Sequence, residues 1–593
     1  MKIVRYGLAV TIIVIASLTI QFLWFTPLTL NQLYFREFTR LAIGDPELMT
    51  QLGLLANTPF DFYNDELTPA SLSHQRALGK QATGAMAALQ SFDRSKLSGE
   101  PATSFDVFKW TIQDLIDADD FYLQNYAITQ NDGAYLDLVD FMSRIHQVKD
   151  LSGANDYLAR LKAIAAKMDD QLALSKLQAE SGVLPPDFII ERLLGNLHNI
   201  RDKPVASSEY ITSFSSRLAE LNLPEQETRA LVAQALKIVE DSVYPAYDRT
   251  IAYFDAKLLV ATSDAGVWKL PKGKEYYEYR IRRNTTTTMS APEIHELGLR
   301  EVARIEAEMS LIFAQQGYTN GTPAELLQQI SEEARFQQPQ SDEAKQALVQ
   351  EYQSIIDEIK AGAGKAFHHQ PKAALIVKRI PKYKEATSAS HYSAPSADRT
   401  RPGVFFVDLT QSPPRWTMRT LAYHEGIPGH HFQIALQREI TGVPFFRTIL
   451  PFTAYSEGWA LYAERLAWEM GYQDDPFDNI GRLQAELFRA VRLVVDTGIH
   501  HQRWSKEQAM AYFDAHLGDP NEAEVERYVV WPGQALAYKV GMMKILSLRE
   551  HAKQRLGKKF DLADFHDVVL QGGALPMDIL EQAVETYIAE GLN

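Results

Sequence analysis

The sequence predicts a mostly α-helical protein: a large helical body with one small β-sheet beside a His-rich helix, following an N-terminal membrane-spanning helix. Three observations carry that fold class. A long uncharged run opens the chain, apolar residues recur at three- and four-residue spacing through most of the remainder, and strand-like sequence is confined to two short stretches.

The opening run, Gly7 to Phe25, holds nineteen residues without a charge and follows Lys2 and Arg5. At about 1.5 Å per residue it spans close to 30 Å, the thickness of a hydrocarbon core. The basic flank keeps the N-terminus on the cytoplasmic side and sends the body across. Residues 1–30 therefore read as a signal anchor or a signal peptide. The bulky stretch Gln21 to Phe25 lacks the small residues of a cleavage site, and the chain has no cysteine to lipidate.

Residues 31–284 form an N-terminal helical region in this reading. Arg160 to Lys176 and Ser207 to Val239 show helical periodicity, and Pro185-Pro186, Pro204, Pro224 and Pro245 punctuate it. The turn-rich run Thr285 to Ser290 marks the expected boundary to a second region, 285–593. Ser290 with Glu293 three residues on is a capping-box pattern, and Pro292 suits a first helical turn, so a long helix should begin there. Ala373 to Ile380 and Val404 to Leu409 are the strand candidates. The second precedes the His-rich helix, where an edge strand could pair with an extended peptide. Arg401 at its entrance is a candidate for a substrate carboxylate, although a surface turn explains it better, so endo- and exo-cleavage both stay open.

Composition narrows the chemistry. The 593 residues carry 60 Lys+Arg against 75 Asp+Glu, a net charge of -15, which argues against a nucleic-acid partner. With no cysteine there is no disulfide, thiolate zinc site, Fe–S cluster or Cys nucleophile. Any transition metal must be held by His and carboxylate.

The segment Trp416 to Glu439, WTMRTLAYHEGIPGHHFQIALQRE, offers that chemistry. Metal-assisted amide hydrolysis needs two or three protein ligands, an open position and a general base. The usual helical solution places two His four residues apart with a Glu after the first. Here His424-Glu425 supplies the first half, but position 428 is Pro. On an unbroken helix His430 would lie about 120° from His424, whereas His431 would return nearly to the same face. Gly426 and Pro428-Gly429 make an unbroken helix implausible. A bulge absorbing the extra residues favours His430 as second ligand and leaves His431 as a neighbour, with the choice between them open. His295-Glu296 opens a similar pattern, but Leu299 stands where a ligand would be needed, so it reads as structural.

The third ligand should come from YSEGWALYAERL, Tyr455 to Leu466, with Ser456 as N-cap. Glu457 is the candidate ligand, and Glu464, seven residues on along the same face, the candidate partner of a ligating imidazole. An acidic first turn that complements the helix dipole is the rival reading of Glu457. Two His and one Glu suit Zn2+. Asp496 stands four residues before His500, so His500 is a candidate oxyanion or substrate contact, with a packed core histidine as the rival. Tyr538 is a candidate proton donor, or a core tyrosine.

In combination, RPGVFFVDL, YHEGIPGHHFQ, EGWALYAE, RLVVDTGIHHQRWS and PGQALAYKVG, with TTTTMSAPEIHELGLREVARIEAEM upstream, resemble the bacterial domain-of-unknown-function family DUF885 from about residue 45 to the end. That family resembles the gluzincin-like zinc metallopeptidases. The resemblance implies a metallopeptidase-like helical body, with His424, His430 and Glu457 as ligands and Glu425 as base. The expectation is thus a membrane-tethered zinc peptidase of the bacterial inner membrane, its body in the periplasm or exterior and its partner a peptide substrate. A zinc-dependent amidase or esterase, and a non-catalytic envelope scaffold, are the alternatives. Substrate preference and oligomeric state are not legible.

Overall fold

Helical periodicity in the first half of the chain is realised, in one stretch at greater length than expected and in the other as two helices. Arg160 to Lys176 lies within the helix Leu151–Glu180, and Ser207 to Val239 resolves into Glu209–Ala219 and Glu225–Ile238 with Pro224 as N-cap of the second. The computed structural model describes residues 27–55, 58, 61–380, 389–395 and 401–592. The expected membrane span, Gly7 to Phe25, lies outside the described residues; among the described residues no helix is long and apolar enough to cross a membrane.

Contacts divide the chain after Ser263. The first unit comprises the residues up to Ser263 together with Pro444–Phe446. Its helices enclose an apolar core that includes Tyr157, Leu161, Leu193, Phe214 and Tyr247, all essentially inaccessible to solvent. The buried guanidinium of Arg160 is satisfied there by Glu66 O at 2.8 Å, Tyr63 O at 3.0 Å and His146 Nδ1 at 2.8 Å, as a charge removed from water requires.

The second unit runs from Asp264 to Val443 and from Arg447 to the end. The expected boundary at 284/285 therefore does not separate the units. It falls within the helix Gly273–Thr285, and the threonine run is only a short turn, with Thr286 in the left-handed region at φ 50°, between two helices of the same unit. The predicted capping box forms: the Ser290 backbone N–H donates to Glu293 Oε2 at 2.8 Å and starts the helix Ala291–Gln315. That helix packs along Pro476–His500, which Asp475 initiates by accepting from the Phe477 N–H at 2.8 Å. Nearly every residue in the second half of Pro476–His500 is buried, the polar Arg492, Asp496, Thr497 and His500 included. Thr453–Glu469 crosses Leu536–Leu556 where Gly458 meets Gly541. A Cβ on Gly541 would stand 2.0 Å from the Ala454 carbonyl oxygen, so the two backbones touch without intervening side chains.

The small sheet has three strands: β1 (Leu375–Arg379), β2 (His391–Ser393) and β3 (Gly403–Val407), in the order β1-β3-β2. β3 runs parallel to β1, with Leu375 opposite Gly403, and antiparallel to β2, with Tyr392 opposite Phe405. Both edges of β3 are thus occupied, which overturns its expected role as an edge open to a peptide. β2 is the strand the sequence did not announce, since three residues are too few to show an alternation.

Candidate metal centre

The site begins with a broken helix. The first histidine helix, Met418–Glu425, ends at Gly426, and the second, His430–Glu439, starts after Gly429. Pro428 has no N–H to continue the ladder. At Gly429 the chain passes so close over the preceding turn that a Cβ would lie 2.0 Å from the His424 carbonyl oxygen. Trp459 Nε1–H, from the helix Thr453–Glu469, donates to Pro428 O at 2.8 Å and holds the turn. The six-residue spacing, wrong for a continuous helix, becomes a convergence of two helix ends.

His424, His430 and Glu457 meet there, with one ligand-type atom of each lying within 4.8 Å of the others. Glu457 Oε2 is 3.6 Å from His424 Nε2 and 3.2 Å from His430 Nε2. Zinc–ligand bonds of about 2.0 Å in tetrahedral array place neighbouring donors about 3.3 Å apart. The donor set, two imidazoles and one carboxylate without sulfur, also suits zinc. Glu464 Oε1 lies 2.7 Å from His424 Nδ1, so this imidazole is oriented with Nε2 toward Glu457. His430 has no counterpart to Glu464; its Nδ1 is buried without a hydrogen-bond partner among the described residues.

Electrostatics follow from that geometry. Burial alone would depress His424, but the adjacent carboxylates of Glu457 and Glu464 outweigh it and raise its pKa to about 9. Burial would raise Glu457, yet the two imidazoles hold it well below the usual carboxylate range. Beside them Glu425 is buried at 7% exposure, and its carboxylate makes no hydrogen bond to any described residue. A buried acid left unpaired beside three clustered donors is suited to carrying a proton.

The remaining predicted residues fall elsewhere. His431 points to the sheet, with Nδ1 3.1 Å from the Tyr392 hydroxyl, and burial lowers its pKa to about 4; it is His430 that faces Glu457. Ser456 is not an N-cap, because the helix already begins at Thr453 and Phe452 occupies that position. His500 is not brought into the cluster. Its Nδ1 accepts from the Val267 N–H at 3.2 Å and its Nε2 meets Tyr528 O at 2.9 Å, leaving neither nitrogen for a substrate. It lines a separate cavity of about 500 Å³ together with Trp268, Tyr277 and Arg503. Asp496 does not orient it; that carboxylate accepts from Tyr277 Oη at 2.6 Å and from the Gly533 N–H at 3.0 Å. His500 is therefore the packed core histidine. Tyr538 is half-buried, its ring 4.7 Å from the Arg492 guanidinium and its hydroxyl tied to no described residue. His295 is structural as expected, bonded through Nδ1 to Thr497 Oγ1 at 2.8 Å. Glu439, at the end of the second histidine helix, accepts from the backbone N–H groups of Lys372 and Ala373 at 2.8 and 3.0 Å. Sequence reasoning missed Trp459 and Tyr392; the tryptophan inside EGWA was the only signal for either.

No curated protein matches the chain. Among solved structures, a candidate lipoprotein from Colwellia psychrerythraea is similar at TM-score 0.90 and 33% identity, with 94% of this chain and 98% of that one covered. A candidate lipoprotein of unknown function from Shewanella oneidensis shares the fold at TM-score 0.72 and 18% identity, covering 94% of this chain and 99% of its own. The model of the DUF885 family, bacterial proteins of unknown function, matches residues 46–584, and the chain belongs to that family.

Proposed function

We propose that this protein is a membrane-tethered, zinc-dependent peptidase that hydrolyses peptide bonds with an activated water. The observation that carries this reading is the convergence of His424 Nε2, His430 Nε2 and Glu457 Oε2 at the spacing of a tetrahedral zinc edge, beside the unpaired carboxylate of Glu425. His424, His430 and Glu457 would hold the metal, with Glu464 keeping the His424 ring in register. Zinc held there would supply a Lewis acid for the hydrolysis. Glu425 takes the proton of the attacking water on its carboxylate and passes it to the nitrogen of the departing amine.

Tethering rests on the first residues. The similar Colwellia structure is described as a candidate lipoprotein, which supports a location at the cell envelope. The present sequence contains no cysteine that could carry a thioether-linked lipid, and the uncharged run Gly7 to Phe25 supplies the anchor in its place. The body then faces the periplasm or exterior.

Metal analysis of the purified full-length protein tests the reading. One zinc per chain is expected in the wild type and none in His424→Ala. Absence of zinc in the wild type, or undiminished peptide cleavage by Glu425→Gln, would overturn it.

A further inference from the structure

A second cluster in the same unit holds more positive charge than its surroundings balance. Arg489 and Arg492 project from Pro476–His500, and Arg527 from Glu522–Val530. Arg492 is 5% exposed; its Nε donates to Tyr528 Oη at 3.0 Å and its Nη2 to Glu524 Oε2 at 3.0 Å. Arg527 Nη1 shares that carboxylate at 3.1 Å, and its Nη2 donates to Gln534 Oε1 at 2.7 Å. Arg489 reaches only the Ala485 carbonyl, at 3.3 Å. Among the described residues Glu524 is thus the single carboxylate paired with this cluster; it serves Arg492 and Arg527, and none pairs with Arg489.

The imbalance is matched by unused donors. Arg489 Nε, Arg492 Nη1 and Arg527 Nε are each buried without a hydrogen-bond partner among the described residues. Buried charged donors in natural proteins are normally paired. Three unpaired ones on converging side chains describe a place for an anion, and the planar guanidinium fork matches a carboxylate. The cluster is open on one side, because Arg489, Gln534 and Tyr538 are only half-buried. Its position ties it to the metal centre. The Tyr538 ring lies 4.7 Å from the Arg492 guanidinium and 5.9 Å from that of Arg489. Tyr538 precedes by less than one helical turn Gly541, the residue in contact with Gly458, next to Glu457.

We propose that Arg489, Arg492 and Arg527 form a recognition site for a carboxylate of the peptide that is cut at the metal centre. This rests on the peptidase reading above. A free peptide C-terminus and an acidic side chain present the same chemistry, and the substrate set distinguishes them.

The test compares matched peptides on the full-length, zinc-loaded protein: one with a free C-terminus, its C-terminal amide, and a C-terminal amide carrying an internal Glu. Binding is read by calorimetry on Glu425→Gln, and cleavage on the wild type. The expected result is at least tenfold tighter binding of a carboxylate-bearing peptide than of the plain amide, with the loss of most of that preference in Arg489→Gln. Preference for the free terminus, or for the internal Glu, supports the site and assigns its source. Arg492→Lys is a second variant, used with a circular-dichroism melt because Arg492 is buried. Equal binding of all three peptides, or a preference unchanged in Arg489→Gln, overturns the inference. If peptides are cleaved without preference, the peptidase reading stands and the carboxylate site fails. If carboxylate peptides bind selectively and none is cleaved, the site stands and the peptidase reading fails.

Discussion

Two buried histidine environments in the second unit carry opposite electrostatics. At His500, burial outweighs the one backbone bond that favours a proton, to the Tyr528 carbonyl, and the pKa falls to about 4. At His424, burial acts in the same direction, but Glu457 and Glu464 reverse it, to about 9. The difference teaches that depth alone does not distinguish a working imidazole from a packed one. What the ring nitrogens face does: two carboxylates in one case, a backbone N–H and a backbone carbonyl in the other.

The strongest challenge to that contrast is Glu425→Gln, which should lower kcat by about 10²–10⁴-fold while zinc content stays constant. His500→Gln, by contrast, should leave the rate per folded molecule within a few-fold. Steady-state kinetics with metal analysis on both variants breaks the comparison if the two behave alike.

Next in size is the acid response of His500. Its folded pKa, about 4, lies below the ordinary value of 6.5, so the unfolded chain binds the extra proton. The stability this group contributes is complete above pH 6.5 and is lost as pH falls toward 4, to the order of 3 kcal/mol. Urea denaturation of wild type and His500→Gln across pH 7 to 4 should show a shallower acid loss in the variant. A steeper loss would show that His500 is charged in the folded state.

Glu464→Gln sharpens the other half. Removing the carboxylate that orients His424 should weaken zinc binding by about 10–100-fold, measured by chelator competition. Because His430 lacks an equivalent partner, the loss should be concentrated at His424, and an unchanged affinity would show that Glu464 is only structural. The smallest effect belongs to Trp459→Phe, which deletes the bond to Pro428 O. It should cost about 1 kcal/mol of stability by thermal melting, with zinc still bound.

Much of this was legible from local pattern. The capping box at Ser290 and the shared face of Glu457 and Glu464 follow from 3.6-residue spacing along one helix, whereas the meeting of His424 and His430 was legible from the Gly426 and Pro428-Gly429 break between them. The rest depends on pairing between distant segments. The His500 partners lie in Val267 and Tyr528, and they are backbone atoms that no side-chain pattern announces. β3 proved central only because β2, three residues long, covers its second edge. The threonine run looked like a domain border because turn-rich sequence marks any reversal, including one inside a unit. The arginines drew no attention because charged residues on an amphipathic helix usually face water.

The broken helix has a consequence for how the site keeps its shape. In an unbroken motif one helix carries both imidazoles, and its tilt moves them together. Here each rides its own helix, and the two are referenced to a third. Thr453–Glu469 supplies Glu457 to both rings, Glu464 to the first and the Trp459 indole to the turn between them. That helix is the datum of the site. Both imidazoles and the turn between them are thus positioned against one helix rather than against each other.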